Sequence, residues 1–494
     1  SYLNCKGGLI MAANTVSEIV KIKRKIYIEL AKQVLNNKIN ERIDKIPYKI
    51  AKEDGDRYRC CVHKERAIIG ERIKLALGFD PQLHKDETPA DLLKKEGEED
   101  CCDNIVNVIE LACDSCPIDK YTVTDSCRNC VAHKCVNVCP VDAIVTIQNK
   151  AFIDQKKCIE CGRCRQVCPY GAIHENVRPC VRACSVDALT SNSERKAKID
   201  YSKCVDCGSC IQACPFGAIS DSTDLVNVCR TIIDKDKKLT AMLAPSFVGQ
   251  FGAKIQPEVI KSALKEIGFN DVIEVGLGAD MVALEEGEEL NEKISEGDFL
   301  LSSCCPSFKK TVDKHFPILN QKVSKTVSPM VKIAERIKET SDHETVFIGP
   351  CVSKKAESCN YSSVDYVLTF EELLCIIVAS NMNLANYEQK EKMNDSSAHG
   401  RQFAYSGGLS AVMLDLLGEH INVVKGDGLD QCMDLLEKIM EDEIEIDFME
   451  GMACQGGCTG GPANLNKPQV TKKLVEIFAK KSEHKKADQN EKTA

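Results

Sequence analysis

Cysteine is the residue type through which this chain could do chemistry, and its spacing is informative. Three short segments, Ser303-Cys304-Cys305-Pro306, Gly349-Pro350-Cys351-Val352-Ser353-Lys354-Lys355 and Met452-Ala453-Cys454-Gln455-Gly456-Gly457-Cys458, are followed by Gly460 and Gly461. Upstream stand three longer runs: Cys127-x2-Cys130-x4-Cys135-x3-Cys139-Pro140, Cys158-x2-Cys161-x2-Cys164-x3-Cys168-Pro169 and Cys204-x2-Cys207-x2-Cys210-x3-Cys214-Pro215. Thiolate is a soft ligand suited to iron-sulfur clusters, and C-x-x-C runs closed by Cys-Pro are ligand spacing rather than a disulfide framework. The glycines let backbone approach a cluster where a side chain would obstruct it.

Thirty cysteines in 494 residues is several times ordinary usage. Disulfide scaffolds are usually small and secreted, whereas this chain is long and shows no signal peptide, so a reducing, cytoplasmic setting is expected. The longest apolar stretches, such as Leu373 to Ala379, fall short of the roughly 18 residues that cross a bilayer, so a soluble protein without a membrane partner is expected. A formal net charge of −9 argues against a nucleic-acid partner. The excess carboxylate could steer an electron carrier with a basic face, but most such charge only keeps a protein soluble.

The length accommodates roughly three domains. Expected boundaries are a helical N-terminal region over 1–112, a tandem cluster domain over 113–225, an α/β domain over 226–465 and a Lys-rich tail over 466–494. Apolar residues Val16, Ile19, Val20, Ile26, Leu30 and Val34 recur at helical spacing between Thr15 and Asn37, a second helical stretch covers Glu65 to Leu77, and Lys94 to Asp100 reads as a solvated linker. The region is expected to cap the cluster domain. Residues 1–10 precede a natural-looking start at Met11-Ala12-Ala13 and read as a frayed terminus. From Lys238 onward strands at Leu239 to Ala244 and Asp271 to Val275 alternate with helices around Pro257 to Ile267 and Met281 to Glu296, which implies a sheet covered by helices with ligands on loops at strand ends. Gly276-Leu277-Gly278 lacks the full dinucleotide fingerprint.

The three upstream runs resemble the two-cluster bacterial ferredoxins, repeated in tandem. In that fold the first three cysteines of a run hold one cubane and the fourth crosses to its partner. The resemblance implies one set of Cys127, Cys130, Cys135 and Cys168, a second of Cys158, Cys161, Cys164 and Cys139, and a third of Cys204, Cys207, Cys210 and Cys184. Cys180, Cys214, Cys113 and Cys116 are left over; His174 and Val177 occupy the spacing of the missing cysteines before Cys180, so these four are either a fourth site or loose structural thiols. His133 reads as a loop histidine, since its run already has four cysteines. The remaining cysteines, Cys5, Cys60, Cys61, Cys101, Cys102, Cys229, Cys359, Cys375 and Cys432, read as small buried or inert thiols.

Residues 238–465 resemble the catalytic domain of the iron-only (FeFe) hydrogenases. The match rests on Ala244-Pro245-Ser246, Gly278-Ala279-Asp280, Ser406-Gly407-Gly408 and the three cysteine segments, all in order behind ferredoxin-like repeats. It implies a two-lobed α/β domain holding an H-cluster, a 4Fe-4S cluster joined to a diiron unit with carbon monoxide, cyanide and dithiolate ligands, alongside three to four additional 4Fe-4S clusters. The implied ligands are Cys305, Cys351, Cys454 and Cys458, with Cys458 the bridge. Lys354 would donate to one cyanide, and Pro245 and Ser246 to the other, with Ala244 and Met452 beside them. Cys304 would be the free thiol that passes protons through Glu286, Ser324 and Glu289. Glu286 and Glu289 are three apart on one expected helix and share a face, although Glu285 to Glu289 also reads as a solvated helix end.

The chain departs from many family members at Gly349, Met330, Phe308 and Gly461-Pro462-Ala463-Asn464, which marks a divergent branch. The implied activity is reversible reduction of protons to hydrogen, with a ferredoxin or similar carrier as electron donor and maturation proteins supplying the diiron unit. The alternatives are a hydrogen sensor using the same cofactor, against which intact Cys304 weighs, and an iron-sulfur assembly factor without the diiron site, against which Cys304, Lys354 and Glu286 weigh.

Overall fold

The computed structural model describes residues 16–95, 104–114, 116–117, 119–387 and 391–487. Cys5, Cys101, Cys102, most of the expected linker and the far end of the expected tail lie outside the described residues. Two parallel sheets organise the C-terminal half. One has four strands in the order Asp271–Glu274, Leu239–Leu243, Glu344–Gly349, Tyr366–Thr369, and the other three in the order Leu300–Leu301, Phe448–Met452, Val423–Asp427. The long helix Val275–Ser295 lies between them, packing on Pro329–Thr340, Ala398–Gln402 and Gly408–Leu417. Buried on both faces, strands such as Leu239–Leu243 are solvent-excluded throughout, as parallel strands under helices must be.

The expected strand at Asp271 to Val275 ends at Glu274, and Val275 already begins the helix. A Cβ on Gly278 would lie 2.4 Å from the Pro329 carbonyl oxygen, so glycine here serves helix–helix approach rather than a phosphate turn.

The cluster region is built from antiparallel two-stranded ladders, and their pairing shows how the two ferredoxin-like units are arranged. Tyr121–Val123 pairs with Ile173–Glu175 and closes an inner unit, while Val106–Val108 pairs with Ile219–Asp221 and closes an outer one around it. Hairpins Ile144–Ile147 with Lys150–Ile153 and Leu189–Ser191 with Ala197–Ile199 complete the two units. The repeats are therefore nested, and the outer unit begins ahead of residue 113.

Helix Glu18–Leu35 buries Ile26, Tyr27, Leu30, Ala31 and Val34. It packs on Leu225–Ile233 and Phe370–Ala379 of the catalytic domain, whereas Val62–Ala76 packs on the outer ferredoxin-like unit. The N-terminal region thus spans both domains instead of capping one. A buried ion network pins it: Asp221 accepts from Lys23 (3.1 Å) and Lys355 (2.7 Å), and Lys355 also reaches Glu372 (2.7 Å). The expected Lys-rich tail is instead a docked helix, Pro468–Lys480, whose Val475 and Phe478 are buried while its lysines face outward. Among the described residues no helix is long and apolar enough to cross a membrane.

Candidate cluster and catalytic centre

Ala244-Pro245-Ser246 and the three cysteine segments each follow the carboxyl end of a parallel strand, whereas Gly278-Ala279-Asp280 lies inside the helix Val275–Ser295 and Ser406-Gly407-Gly408 joins two helices. Ala244-Pro245-Ser246 follows Leu239–Leu243, Cys304 and Cys305 follow Leu300–Leu301, Cys351 follows Glu344–Gly349, and Cys454 and Cys458 follow Phe448–Met452. That end of a parallel sheet is where its loops converge. The loops close around one cavity at the junction of the two sheets, lined by Cys304, Cys305, Cys351, Cys454 and Cys458 together with Ala244, Pro245, Ser246, Lys354 and Met452. Met330 also lines it, so a thioether and not an amide faces this wall. Burial pushes the thiols up, Cys351 to about 12 and Cys458 to about 11, and their mutual charge adds to the effect. Cys351, Cys454 and Cys458, which resist ionising alone, are suited to a cationic iron core that would hold them as thiolates. Ser246 Oγ is buried at the wall without a hydrogen-bond partner, so the cavity offers a polar contact that the protein leaves unused. The donor set and this orphan hydroxyl fit the cofactor that the sequence implies.

Lys354 is buried, with Nζ donating to Glu357 Oε2 (2.6 Å) and to the Cys304 carbonyl (3.4 Å). Burial works against its charge, yet Glu357 and the neighbouring thiolates hold its pKa above the usual lysine range. Glu357 also accepts from Ser328 Oγ (3.1 Å). Sequence reasoning missed this carboxylate, which lies one helical turn after Lys354 and was open to discovery by that spacing.

Glu286 is fully buried mid-helix, so the solvated-helix-end reading fails for it. Its Oε1 accepts from Ser303 N (3.1 Å), and Oε2 has no partner. Burial pushes this carboxyl up to about 8, with the charges of Glu289 and Glu450 adding to it. Cys304 is raised well above a normal thiol, first by burial and then by the Glu286 charge, which places the two groups within electrostatic reach. Ser324 Oγ donates to Glu289 Oε2 (2.7 Å), and half-buried Glu289 also accepts from Lys325 N (3.1 Å). Cys304 lines the cavity, Glu286 is buried, and the Ser324 hydroxyl is joined to the half-buried Glu289. Glu450, also missed, is a buried acid in the strand Phe448–Met452 that accepts from Gly407 N (2.8 Å) and Ser410 N (2.7 Å), holding the Ser406-Gly407-Gly408 turn beside Cys458.

The accessory cysteines lie in groups. A small cavity is lined by Cys158, Cys161, Cys164 and Cys139. Cys135 feels the charges of Cys130 and Cys168, and Cys127 packs in the same cluster of side chains. Cys204, Cys207 and Cys210 each feel Cys184. Cys180 is pushed up to about 11 by burial and by Cys214, Cys116 and Cys113, so the left-over cysteines do come together. The outer unit explains them: Cys113 and Cys116 are the first two cysteines of the run that continues at Cys180 and Cys184, separated from them by the inner unit. Among the described residues no group of three or more His, Cys, Asp or Glu side chains converges closely enough to hold a single metal ion.

Cys207 also adds to the charge felt by Cys454, which puts the third quartet next to the catalytic cavity. Lys310 pairs with Asp206 (2.7 Å), and Lys314 donates to the Cys204 carbonyl (2.7 Å). Gly208 sits at φ +78°, and a Cβ there would lie 2.9 Å from Pro462 Cγ.

Among the other thiols, Cys229, Cys375 and Cys432 are buried as expected. Cys60 and Cys61 are exposed instead, and Cys61, with amides at the start of helix Val62–Ala76 directed at it, has a lowered pKa. Cys359 is disulfide-bonded. His133 begins the turn Lys134–Asn137 with Nδ1 3.5 Å from Thr146 Oγ1.

Comparison with known proteins gives the following. Residues 237–462 match the model for the iron only hydrogenase large subunit, C-terminal domain, and residues 151–174 and 197–220 match the 4Fe-4S binding domain. Iron hydrogenase 1 of Clostridium pasteurianum is 25% identical over 332 residues, covering 54% of this chain and 58% of that protein. The chain thus spans less than two thirds of that relative. The periplasmic Fe hydrogenase large subunit of Nitratidesulfovibrio vulgaris is 25% identical over 379 residues, covering 64% of this chain and 87% of that protein. A solved FeFe-hydrogenase structure concerned with stepwise H-cluster assembly is 20% identical, covers 54% of this chain and 90% of its own, and gives a TM-score of 0.44.

Proposed function

We propose, on the premise that the chain is an iron-only hydrogenase-like protein with 4Fe-4S domains, that it interconverts protons and molecular hydrogen, with electrons relayed through its cysteine quartets from a ferredoxin-like carrier. Cys305, Cys351, Cys454 and Cys458 would hold the cluster, and Lys354, Pro245 and Ser246 would anchor a diiron unit at the same wall. The chemistry expected of the bound group is the two-electron, two-proton interconversion with hydrogen. The protein's own part is to move protons. Cys304 delivers to the cavity, and Glu286, protonated at neutral pH by its burial, recharges it from Oε2. Ser324 and Glu289 connect Glu286 to the surface. Lys354 is fixed by Glu357, so its ammonium meets a ligand without rearrangement. Electrons would enter the catalytic cavity from the Cys204, Cys207, Cys210 and Cys184 quartet, the one that packs against it. Other members of the chain's proposed support are maturation proteins and a cytoplasmic, anaerobic setting.

The single observation that carries this reading is the gathering of four cysteines, a free thiol, a buried lysine and an orphan hydroxyl around one cavity with a buried acid behind the thiol. The test is anaerobic maturation with a synthetic diiron precursor, followed by infrared spectroscopy and hydrogen evolution from a reduced low-potential dye. Carbonyl and cyanide bands with turnover that collapses in Cys304→Ala support it. Bands with negligible turnover favour a sensor, and absence of bands favours an assembly or electron-transfer protein.

A further inference from the structure

The third quartet and the catalytic cavity are joined by one short helix. Pro306–His315 starts at Cys305, its N-cap, and its later residues lie on the loop of the third quartet. Lys310 Nζ donates to Asp206 Oδ2 (2.7 Å), Lys314 Nζ to the carbonyls of Tyr201 (2.8 Å) and Cys204 (2.7 Å), and His315 Nε2 to the Lys203 carbonyl (2.9 Å). Lys310 and Lys314 are four apart and share a face of the helix. At its start, Cys305 packs in one apolar cluster with Cys204, Cys207 and the buried Val205 and Ala453. The third quartet fits a cubane: Cys210 feels the charges of Cys207, Cys204 and Cys184, and Ala188 N already donates to Cys184 Sγ (3.2 Å), the kind of bond a cluster thiolate accepts.

Asp206 sets this quartet apart from the others. It stands between Cys204 and Cys207 at φ +56°, where Asn129 (φ +45°) and Glu160 (φ +57°) stand in the other two runs. Asn129 is neutral and Glu160 is exposed, whereas Asp206 is buried with Oδ1 3.9 Å from Cys204 Sγ. Burial pushes the Cys204 thiol up to about 12, and the Asp206 charge adds to it. A carboxylate this close to a ligand sulfur opposes the arrival of an electron. Its ion partner among the described residues is Lys310.

We propose that Lys310 is a positioning residue for the last electron step: by pairing with Asp206 it sets the reduction potential of the third quartet's cubane, and its helix holds that quartet against the catalytic one. The inference rests on the proposed electron relay and names what tunes its final donor. Reduction adds one negative charge to a group that thiolate ligands already make anionic. With Asp206 paired, that added charge meets a near-neutral ion pair. With Asp206 bare, it meets a full negative charge in a buried setting where screening is weak. Cubane potentials respond to net charge and to hydrogen bonds at the sulfurs, so the pair acts on the property that decides how strongly this donor drives the catalytic site. One helix thus carries a proposed ligand of the acceptor at its start and the charge partner of the donor's loop five residues later.

The test reconstitutes the full chain with iron and sulfide but no diiron unit, titrates it against solution potential and follows the cubanes by electron paramagnetic resonance, so it reads them whether or not hydrogen is made. Cys207→Ala identifies the component that belongs to the third quartet. Lys310→Met should make that component harder to reduce by roughly tenfold in its reduction equilibrium, about 59 mV for a one-electron couple. Asp206→Asn should shift it by a similar factor in the opposite direction, Lys310→Met with Asp206→Asn should bring it back toward the parent, and Lys310→Arg should preserve it. The other components should not move. Loosening of the loop would not give opposite shifts, because Lys310→Met and Asp206→Asn break the same contact. The inference is overturned if both shift the potential in one direction, or if neither changes the equilibrium by as much as about threefold while the iron content stays at the parent's. If Cys207→Ala removes no component, the third quartet holds no cubane, and the relay and this inference fall together. Hydrogen evolution that fails in the matured protein while the shifts run as described would sink the proposed activity and leave the role of Lys310 standing.

Discussion

Replacing Glu286 by Gln isolates one proton. The amide keeps the side-chain shape and can still accept from Ser303 N, but it removes the group that burial has pushed from 4.5 up to about 8. The folded protein holds a proton there that the unfolded chain releases near pH 4.5, so this residue costs stability progressively as pH rises from 4.5 to about 8 and by a constant amount above it. Fully realised, the cost is on the order of 4–5 kcal/mol. The Gln variant lacks it, and should therefore match the parent in thermal unfolding at mildly acid pH and exceed it increasingly toward alkaline pH. Activity should move in the opposite direction. The parent's dye-driven hydrogen evolution should fall as pH passes through about 8 and Glu286 loses the proton it donates, while the variant should be depressed at every pH by roughly 10²–10⁴-fold, the range for losing a positioned acid. Infrared difference spectra on the same samples should show a protonated carboxyl band that titrates in the parent and is missing in the variant. A variant that turns over within a factor of two of the parent, with a parent pH profile flat through 8, would refute the relay and leave Glu286 a structural acid.

Lys354→Met keeps the aliphatic stem but leaves Glu357 without its ion partner; the cubane should still assemble by visible spectroscopy, whereas carbonyl and cyanide infrared bands should not persist after maturation. Cys180→Ala should remove one cubane's worth of iron while the other quartets keep theirs, as measured by iron analysis and electron paramagnetic resonance; unchanged iron would show that Cys113, Cys116, Cys180 and Cys214 are only packed thiols. Asp221→Ala takes from Lys23 and Lys355 the partner they share, leaving them Glu371 and Glu372, and should lower stability by on the order of 1–3 kcal/mol, read as a drop in Tm. Burial would raise the Asp221 pKa, but Lys23 and Lys355 hold it below the ordinary range, so the stability it contributes is present at neutral pH and is lost only in strong acid.

The site was legible because its chemistry is written in short segments whose positions follow from strand ends. Cys305, Cys351, Cys454 and Cys458 come from three loops, yet each loop begins where an apolar run stops, and parallel strands bring such ends together. Glu286 was harder. Four glutamates around one glycine look solvated, and what buries Glu286 is the partner helix Gly408–Leu417 and the Cys304 loop, neither visible from its neighbours in sequence. The Pro468–Lys480 helix escaped for a similar reason: a buried stripe of Thr471, Val475, Phe478 and Ala479 is thin beside its lysines, and only the catalytic domain supplies the surface that makes it fold back.

The fourth quartet shows how far apart sequence order and spatial order can be. Read linearly, the cysteines before Cys180 are missing, because the expected spacing falls on His174 and Val177. The inner unit, however, starts and stops at one point: Asn176 N donates to the Lys120 carbonyl (2.7 Å) and its side-chain amide to the Asp119 carbonyl (2.8 Å). An insertion whose ends meet leaves the host geometry intact, and ordering it draws on its own core of Tyr121, Ile144, Ile153 and Ile173 rather than on the outer unit. Cys116 and Cys180 can therefore act as consecutive ligands of one run across a whole folded unit. The same nesting sets the electron path. It sets the quartet of Cys204, Cys207, Cys210 and Cys184 against the catalytic cavity through Cys207 and Cys454, while Cys161 of the inner unit is exposed.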